Sequence, residues 1–366
     1  MKIFKFGGSS VKDATAMKKV SKIILAHDKC RVVVLSATKN TTNELEEIGK
    51  TSSMSEENLS ADRIQSLIQR HREISHELEL DIELSLLEVE TELNLISKSM
   101  IGDSEVNPKK MDSLYSIGER LSSLILSKYL HRVSTKKVVY KDVRQVLKTN
   151  DQWNLASPLI GETTSEVSLW GEIGESDLII TQGFIGSTVA GETTTLGREG
   201  SDFSATILGE VLNASEVVIW TDVAGVATCD PRIVINAEFI SNLNYKHAAL
   251  LAHFGAKVLF ERTLEPAIRK KFPVYVKSTL KPEALGTCIN DLPLQCGPVG
   301  LAIEEDLLTI VGERLLSNDV KLPFDGLTNY EIFKQTDDYV TLKVTSGDID
   351  NFVERIHSWI LECRHS

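Results

Sequence analysis

Short runs of β-branched and aliphatic residues recur along the chain at 2–6, 31–35, 137–140, 178–181, 217–221 and 274–276. Between several of them lie longer stretches with helical spacing of apolar positions, for example 11–25 and 201–212. Near-continuous apolar strands alternating with helices predict an α/β fold, with a mostly parallel central sheet sandwiched by helices. In such sheets ligands gather at the carboxyl ends of the strands.

The pattern changes over residues 56–100. Ile64, Leu67, Ile68, Ile74 and Leu78 keep a helical spacing, as do Ile82, Leu86, Val89, Leu93 and Ile96, and neither Pro nor Gly interrupts the two series. This reads as a helical hairpin inserted after the second strand, packed on the flank of the sheet as a structural insertion or a dimer face. A second change comes at Asp291, where residues 292–298 have the Pro/Gly content of a linker. Strand-like segments at 307–311, 330–334 and 339–344 follow, then an amphipathic helix over 348–361 with Asp348 as its N-cap. Two domains are therefore expected, 1–290 and a small α+β domain at 298–366.

A chain of 366 residues exceeds one typical core, which agrees with two parts. The formal net charge of -12 argues against a general nucleic-acid or anionic-membrane binder, although a local basic cleft needs only a few lysines and arginines. Cys30, Cys229, Cys288, Cys296 and Cys363 are odd in number and lack CxxC spacing, so reduced thiols and a cytoplasmic setting are expected. No N-terminal stretch has signal-peptide form, and no apolar run approaches the roughly 20 residues of a membrane span. His71 and His76 lie in the insertion without acidic or cysteine partners at metal-ligand spacing, so they read as core or surface histidines rather than a metal site.

Two glycine segments carry the candidate chemistry. Lys5-Phe6-Gly7-Gly8-Ser9-Ser10-Val11 ends a strand and opens a helix, exposing backbone N–H groups where the helix dipole favours an anion. Lys5 can place an ammonium on phosphate oxygens, Gly7 and Gly8 permit close backbone approach, and Ser9 and Ser10 can donate hydroxyls or cap the helix. The segment is neither a Walker A loop nor GxGxxG, and by itself it reads equally well as a tight strand-to-helix turn. The second segment, Thr195-Leu196-Gly197-Arg198-Glu199-Gly200-Ser201-Asp202, supplies a guanidinium that can fork onto a carboxylate. Asp202 can order nearby lysines or simply complement the start of a helix. A third constellation, Trp220-Thr221-Asp222-Val223-Ala224-Gly225-Val226 with Asp230-Pro231-Arg232, could face a ribose, purine or phosphate. Cys229 lies beside it without an activating neighbour and reads as a packing residue. Two anion-seeking loops on one cleft suit a nucleoside triphosphate facing an anionic acceptor, which indicates a small-molecule kinase.

These segments, with Ser116-Ile117-Gly118-Glu119, Thr181-Gln182-Gly183-Phe184 and Phe254-Gly255-Ala256-Lys257-Val258, stand in the order and approximate spacing seen in aspartate kinases. The resemblance covers residues 1 to about 290 and is similar in kind to the wider amino-acid-kinase group, which includes uridylate, carbamate, acetylglutamate and glutamate 5-kinases. It implies that Lys5 neutralises the transferring phosphate and Asp202 organises the charges around it. It implies that Glu119 holds the α-ammonium of aspartate and Arg198 a substrate carboxylate, with Thr42, Phe184 and Ser201 lining the same pocket. Lys5, Gly7, Gly8, Ser9, Thr221, Asp222, Arg232 and Lys257 are implied to contact ATP, with Mg2+ bridging the phosphates through substrate oxygens and water. The implied reaction is in-line attack of the aspartate β-carboxylate on ATP, giving 4-phospho-aspartate and ADP at the entry to lysine, threonine and methionine biosynthesis, in a homodimer.

The chain departs from the family at several positions. Ala227 stands where a large side chain usually meets the nucleotide, Phe260-Glu261 replaces a His-Pro pair, Glu199 replaces a small residue, and Arg120 replaces an apolar one. Aspartate kinases usually end in two ACT modules, and the stretch after Gly297 is long enough for one. Within it, Pro323 and Gly326 fall where a helix is expected, so feedback by lysine or threonine is doubtful. Alternative readings are a catalytically weak homologue with a regulatory or binding role, or a kinase of the same fold acting on another acidic acceptor such as glutamate.

Overall fold

The computed structural model describes residues 1–103, 105–255, 260–294, 296–324, 328–345 and 349–365. They fall into two compact units, Met1–Asp222 and Val223–Ser366.

In the first unit β1 (Lys2–Phe6) runs through the glycine turn into a 3-10 turn at Gly8–Val11 and then α1 (Ala14–Leu25). The helix begins later than the apolar spacing suggests because Asp13 caps it, accepting from the Ala16 N–H at 2.7 Å. β2 (Cys30–Leu35) leads to α2 (Thr41–Ser53), and α3 (Glu57–Glu77) with α4 (Glu83–Met100) makes the expected helical hairpin. α5 (Pro108–Val133) starts at a strong signal, with Pro108 in its first turn and the Asn107 side chain accepting from the Lys109 and Lys110 N–H groups. There follow β3 (Lys137–Tyr140), α6 (Ile160–Glu166), β4 (Asp177–Gln182), the antiparallel pair β5 (Ile185–Ser187) and β6 (Thr193–Thr195), α7 (Gly200–Val211) and β7 (Glu216–Thr221).

Five of these strands are parallel in the order β3-β4-β2-β1-β7. The chain winds outward from β1 through β2, then returns with β7 to the other side of β1, so the winding reverses there. A parallel sheet leaves its ligand crevice at such a reversal. The seam beneath it is aromatic: Phe6 and Trp220, paired in register, stack at 6.0 Å, with Phe4 edge-on to Trp220 at 5.7 Å. The insertion is tied down by polar contacts. Arg120 forks onto both Glu92 oxygens at 2.6 and 2.8 Å, joining α5 to α4. The hydroxyls of Ser52, Ser60 and Ser97 form a buried triangle with 2.8–2.9 Å sides among α2, α3 and α4. Arg120, which departs from the family pattern, thus has a plain structural use.

The second unit contains β8 (Asn242–Asn244), α8 (Tyr245–His253), α9 (Glu261–Lys270), β9 (Val274–Ser278) and β10 (Thr287–Asn290), with β10 antiparallel to β9 and parallel to β8. Glu261 opens α9 and reaches His253 at 3.1 Å, a carboxylate suited to a helix start. Then come β11 (Gly297–Glu304), β12 (Leu307–Glu313), β13 (Tyr330–Gln335), β14 (Tyr339–Val344) and α10 (Ile349–His365). The four strands form an antiparallel sheet in the order β11-β12-β14-β13. Phe352, Val353, Ile356 and Ile360 of α10 pack on Leu301, Leu308, Ile310, Val340 and Leu342, and Cys229 and Val234 share that core. Residues 223–290 share their compact unit with the C-terminal strands.

Where the sequence suggests a linker ending at residue 298, β11 has already begun. Gly297 takes φ 105°, and Pro298 is tolerated because β11 is an edge strand whose register slips between Pro298 and Gly300. No helix forms over the described residues 314–324, as Pro323 suggests; Gly326 and the expected N-cap Asp348 lie outside the described residues. All five cysteines carry free thiols. No helix of the described residues is long and apolar enough to cross a membrane.

Candidate active site

A cavity of about 630 Å³ opens in the first unit, among residues that follow β1, β2 and β6. Three first turns border it: Gly8 and Ser9 of the 3-10 turn, Thr42 of α2, and Gly200 and Ser201 of α7. The N–H groups of a first turn have no partner within their own helix, which favours an anionic occupant. Asn40 and Glu199, the residues just before α2 and α7, both hold left-handed backbone, with φ 69° and 54°.

Lys5 ends up inside the fold, 6% exposed, with Nζ 2.6 Å from Oδ1 of Asp202, itself 3% exposed. Strand β1 delivers the lysine and the first turn of α7 delivers the aspartate. Gly8 is needed for closeness: a Cβ there would sit 2.7 Å from the Ala37 carbonyl oxygen. The turn after β1 therefore lies directly against the turn after β2.

Glu119 enters from the middle of α5 and is 3% exposed. Its Oε1 accepts from the Ala37 N–H at 3.1 Å, while its buried Oε2 has no hydrogen-bond partner among the described residues. Burial pushes its pKa up to about 8, against the opposing effects of the Ala37 N–H and the Lys5 cation. A buried carboxylate with one oxygen unspent suits a cationic ligand group. Gly118 makes this approach possible, since a Cβ there would meet the Ala37 Cβ at 2.8 Å.

Arg198 also lines the cavity, is exposed, and makes no ion pair among the described residues. Beside it Glu199 is reached by solvent, yet desolvation and the neighbouring Asp202 carboxylate raise its pKa, with Lys5 and Arg198 opposing. Phe184 has φ 66°, an uncommon conformation for an aromatic residue, held by its N–H to Ser204 Oγ at 2.9 Å and its carbonyl to the Leu196 N–H at 2.8 Å. Its ring meets Tyr115 edge-on at 6.3 Å. Gly183 must lack a side chain, because a Cβ would stand 2.6 Å from the Ser201 Cβ. Lys5, Gly8, Ser9, Thr42, Glu119, Phe184, Arg198 and Ser201, all expected from the sequence, line this one cavity.

The remaining expected residues are placed otherwise. Thr221 ends β7 and Asp222 follows it, adjacent to the end of β1, where the Gly7 N–H reaches the Trp220 carbonyl at 3.3 Å. Thr221 Oγ1 donates to Asp222 Oδ1 at 3.2 Å. Arg232 belongs to the second unit, where it forks onto Asp230 at 2.6 to 3.2 Å in an exposed turn. Ala227 bridges to Phe239. Cys229 is buried in the core of its unit with its thiol pushed up to about 12 by burial, consistent with packing. Lys257 lies outside the described residues.

Several residues at the site escape motif reading. Asp112 is fully buried, accepting from the Asn154 N–H, the Thr195 N–H and the Thr195 hydroxyl at 2.7 to 3.2 Å, so it fastens two walls of the cavity to α5. Its only signal is its place seven residues before Glu119, on the same helix face. Thr38, Lys39, Tyr115 and Asn154 also line the cavity.

Known proteins place this geometry in context. A model of the amino acid kinase family matches residues 1–278. Lysine-sensitive aspartokinase 3 of Escherichia coli (strain K12) is 40% identical over 292 residues, 78% of this chain and 63% of that protein. The aspartokinase of Chlamydia trachomatis is 33% identical over 296 residues, 78% of this chain and 64% of the relative. The chain thus spans under two thirds of the length of these relatives. A crystal structure of E. coli aspartokinase III in complex with aspartate and ADP, in the R-state, superposes with a TM-score of 0.85 at 27% identity, covering 98% of this chain and 99% of the other.

Proposed function

We propose that this chain, which belongs to the amino acid kinase family, transfers the γ-phosphoryl group of ATP to the β-carboxylate of L-aspartate. The observation that carries this reading is that buried Glu119, with one oxygen unspent, lines one cavity with Lys5, itself paired to Asp202, and with Arg198, which makes no ion pair among the described residues. An amino-dicarboxylate brings one ammonium and two carboxylates, so its pocket needs a fixed acid and a fixed guanidinium. Glu119 takes the ammonium, Arg198 forks onto a carboxylate, and Thr42, Phe184 and Ser201 shape the space between.

Phosphoryl transfer asks for positioning and for neutralisation of charge on the transferred group. Lys5 does this from the end of β1, steered by Asp202, while Gly7, Gly8 and Ser9 let backbone groups approach the phosphates. Thr221, Asp222, Arg232 and Lys257 are assigned to the nucleotide on the strength of their motifs. Mg2+, where bound with the nucleotide, would supply further neutralisation of phosphate charge beside the Lys5 ammonium. The acceptor carboxylate attacks the γ-phosphorus in line, forming its new O–P bond as the bond to ADP breaks. The homodimer rests on the same family resemblance and is checked by light scattering.

The test is a coupled ADP-release assay with hydroxylamine trapping of the acyl phosphate. L-Aspartate is expected to yield both ADP and the hydroxamate. Turnover with L-glutamate alone, or aspartate binding by calorimetry without turnover, would overturn the assignment.

A further inference from the structure

We infer that His71 and Arg70, carried on the helical insertion, are positioning residues that lock the turn between β2 and α2 against the cavity. That turn supplies Ala37, whose N–H holds Glu119, and Thr38 and Asn40, which line the space with Thr42 of α2. His71 lies on α3, 33 residues from Thr38 in sequence, and is fully buried.

The hydrogen-bond pattern fixes how the knot works. His71 Nδ1 lies 2.8 Å from the Leu67 carbonyl, which can only accept, so Nδ1 carries the ring proton. Burial lowers the pKa to about 4, so the ring is neutral near pH 7 and Nε2 is an acceptor. The Thr38 hydroxyl, 3.1 Å away, therefore donates to Nε2. Its oxygen accepts from Arg70 Nη1 at 3.0 Å and from the Thr41 hydroxyl at 2.6 Å. Arg70 Nη2 in turn donates to Thr41 Oγ1 at 2.9 Å and Glu44 Oε2 at 2.5 Å, and Nη1 reaches the Lys39 carbonyl at 3.3 Å. Both threonine hydroxyls and the Nε2 acceptor are thereby used. The knot encloses Asn40, whose left-handed backbone needs external support in a residue other than glycine. It ends one residue from the amide that holds Glu119.

A hairpin that reads as a flank of the sheet thus acts on the amino-acid end of the site. This deepens the aspartate reading, and its test is chosen to separate the two. In the full chain, His71→Leu removes the acceptor, His71→Gln restores one, and Thr38→Val removes the donor. Hydrogen exchange over residues 36–42 is measured alongside the KM values for aspartate and ATP. His71→Leu is expected to speed exchange in that segment and raise the aspartate KM about tenfold, the loss of one buried hydrogen bond, with the ATP KM within about twofold. His71→Gln should recover much of both. Thr38→Val, which also removes the acceptor for Arg70 and Thr41, should be at least as severe as His71→Leu, and the double variant should be no worse than Thr38→Val alone, because the His71 contact runs through that hydroxyl. Unchanged exchange over 36–42, equal rises in both KM values, or additive effects overturn the inference. If His71→Leu fails to fold, Thr38→Val alone decides it. If the wild-type chain shows no aspartate turnover, the exchange readout still decides the lock, and it is the substrate assignment that fails.

Discussion

Lys5 and Asp202 are each almost wholly out of water, so losing either leaves the other as a lone buried charge. Breaking such a pair typically costs about 3–5 kcal/mol, whereas removing both members is far milder. Lys5→Met should therefore abolish nearly all turnover and also lower stability. The Lys5→Met/Asp202→Asn pair should regain most of that stability in a denaturant titration while staying inactive; a double variant no more stable than the single would contradict the pairing. Glu119 makes a pH prediction. With a pKa of about 8, set chiefly by burial, the free protein keeps this carboxyl protonated at neutral pH. A bound ammonium favours the carboxylate, so binding aspartate expels a proton and affinity rises with pH until about 8. Without ligand the sign for stability is opposite: the folded state holds this proton between the unfolded value near 4.5 and 8, so this group's stabilisation declines as pH rises through that window. Calorimetry of aspartate binding in buffers of different ionisation enthalpy should show about one proton released near pH 7. Release of none would sink this account of Glu119.

At the scale of elements, α5 is the keel of the site, because Asp112 and Glu119 project from it two turns apart. Asp112→Ala strands the Asn154 and Thr195 N–H groups, each a loss of about 1–3 kcal/mol if left unsatisfied. The expected result is a lower melting temperature together with a raised aspartate KM. An unchanged KM would mean that those two walls do not touch substrate. Gly183→Ala should act similarly by forcing the start of α7 away, since its Cβ would overlap Ser201. These elements were unevenly legible. The buried parallel strands announce themselves as unbroken apolar runs, and α3 and α4 by uninterrupted helical spacing. Helix α5 is harder to read, because Ser116, Ser122, Ser123 and Ser127 are buried among its leucines and dilute the apolar stripe. The charged residues of the site stand in short motifs beside glycine and could be named in advance. The knot around Thr38 could not, since it joins residues about thirty apart with no local pattern to mark them.

At the scale of the whole molecule, the segment from Val223 to β8 shares one compact unit with the C-terminal strands and helix. The loop carrying Arg232 precedes β8 and lends Cys229 and Val234 to the core under α10. His357 of α10 adds a 2.9 Å hydrogen bond to Thr228 in the same loop. Removing residues 297–366 should uncover Cys229, now 2% exposed and protected as a thiol, to a disulfide exchange reagent under native conditions. Protection that survived the deletion would show that the loop holds its shape unaided. Because residues 301–360 form part of the same hydrophobic interior as that loop, proteolysis within them should destabilise this unit rather than release it from restraint. Any control exercised through this segment must then work by bending an intact piece, not by shedding one.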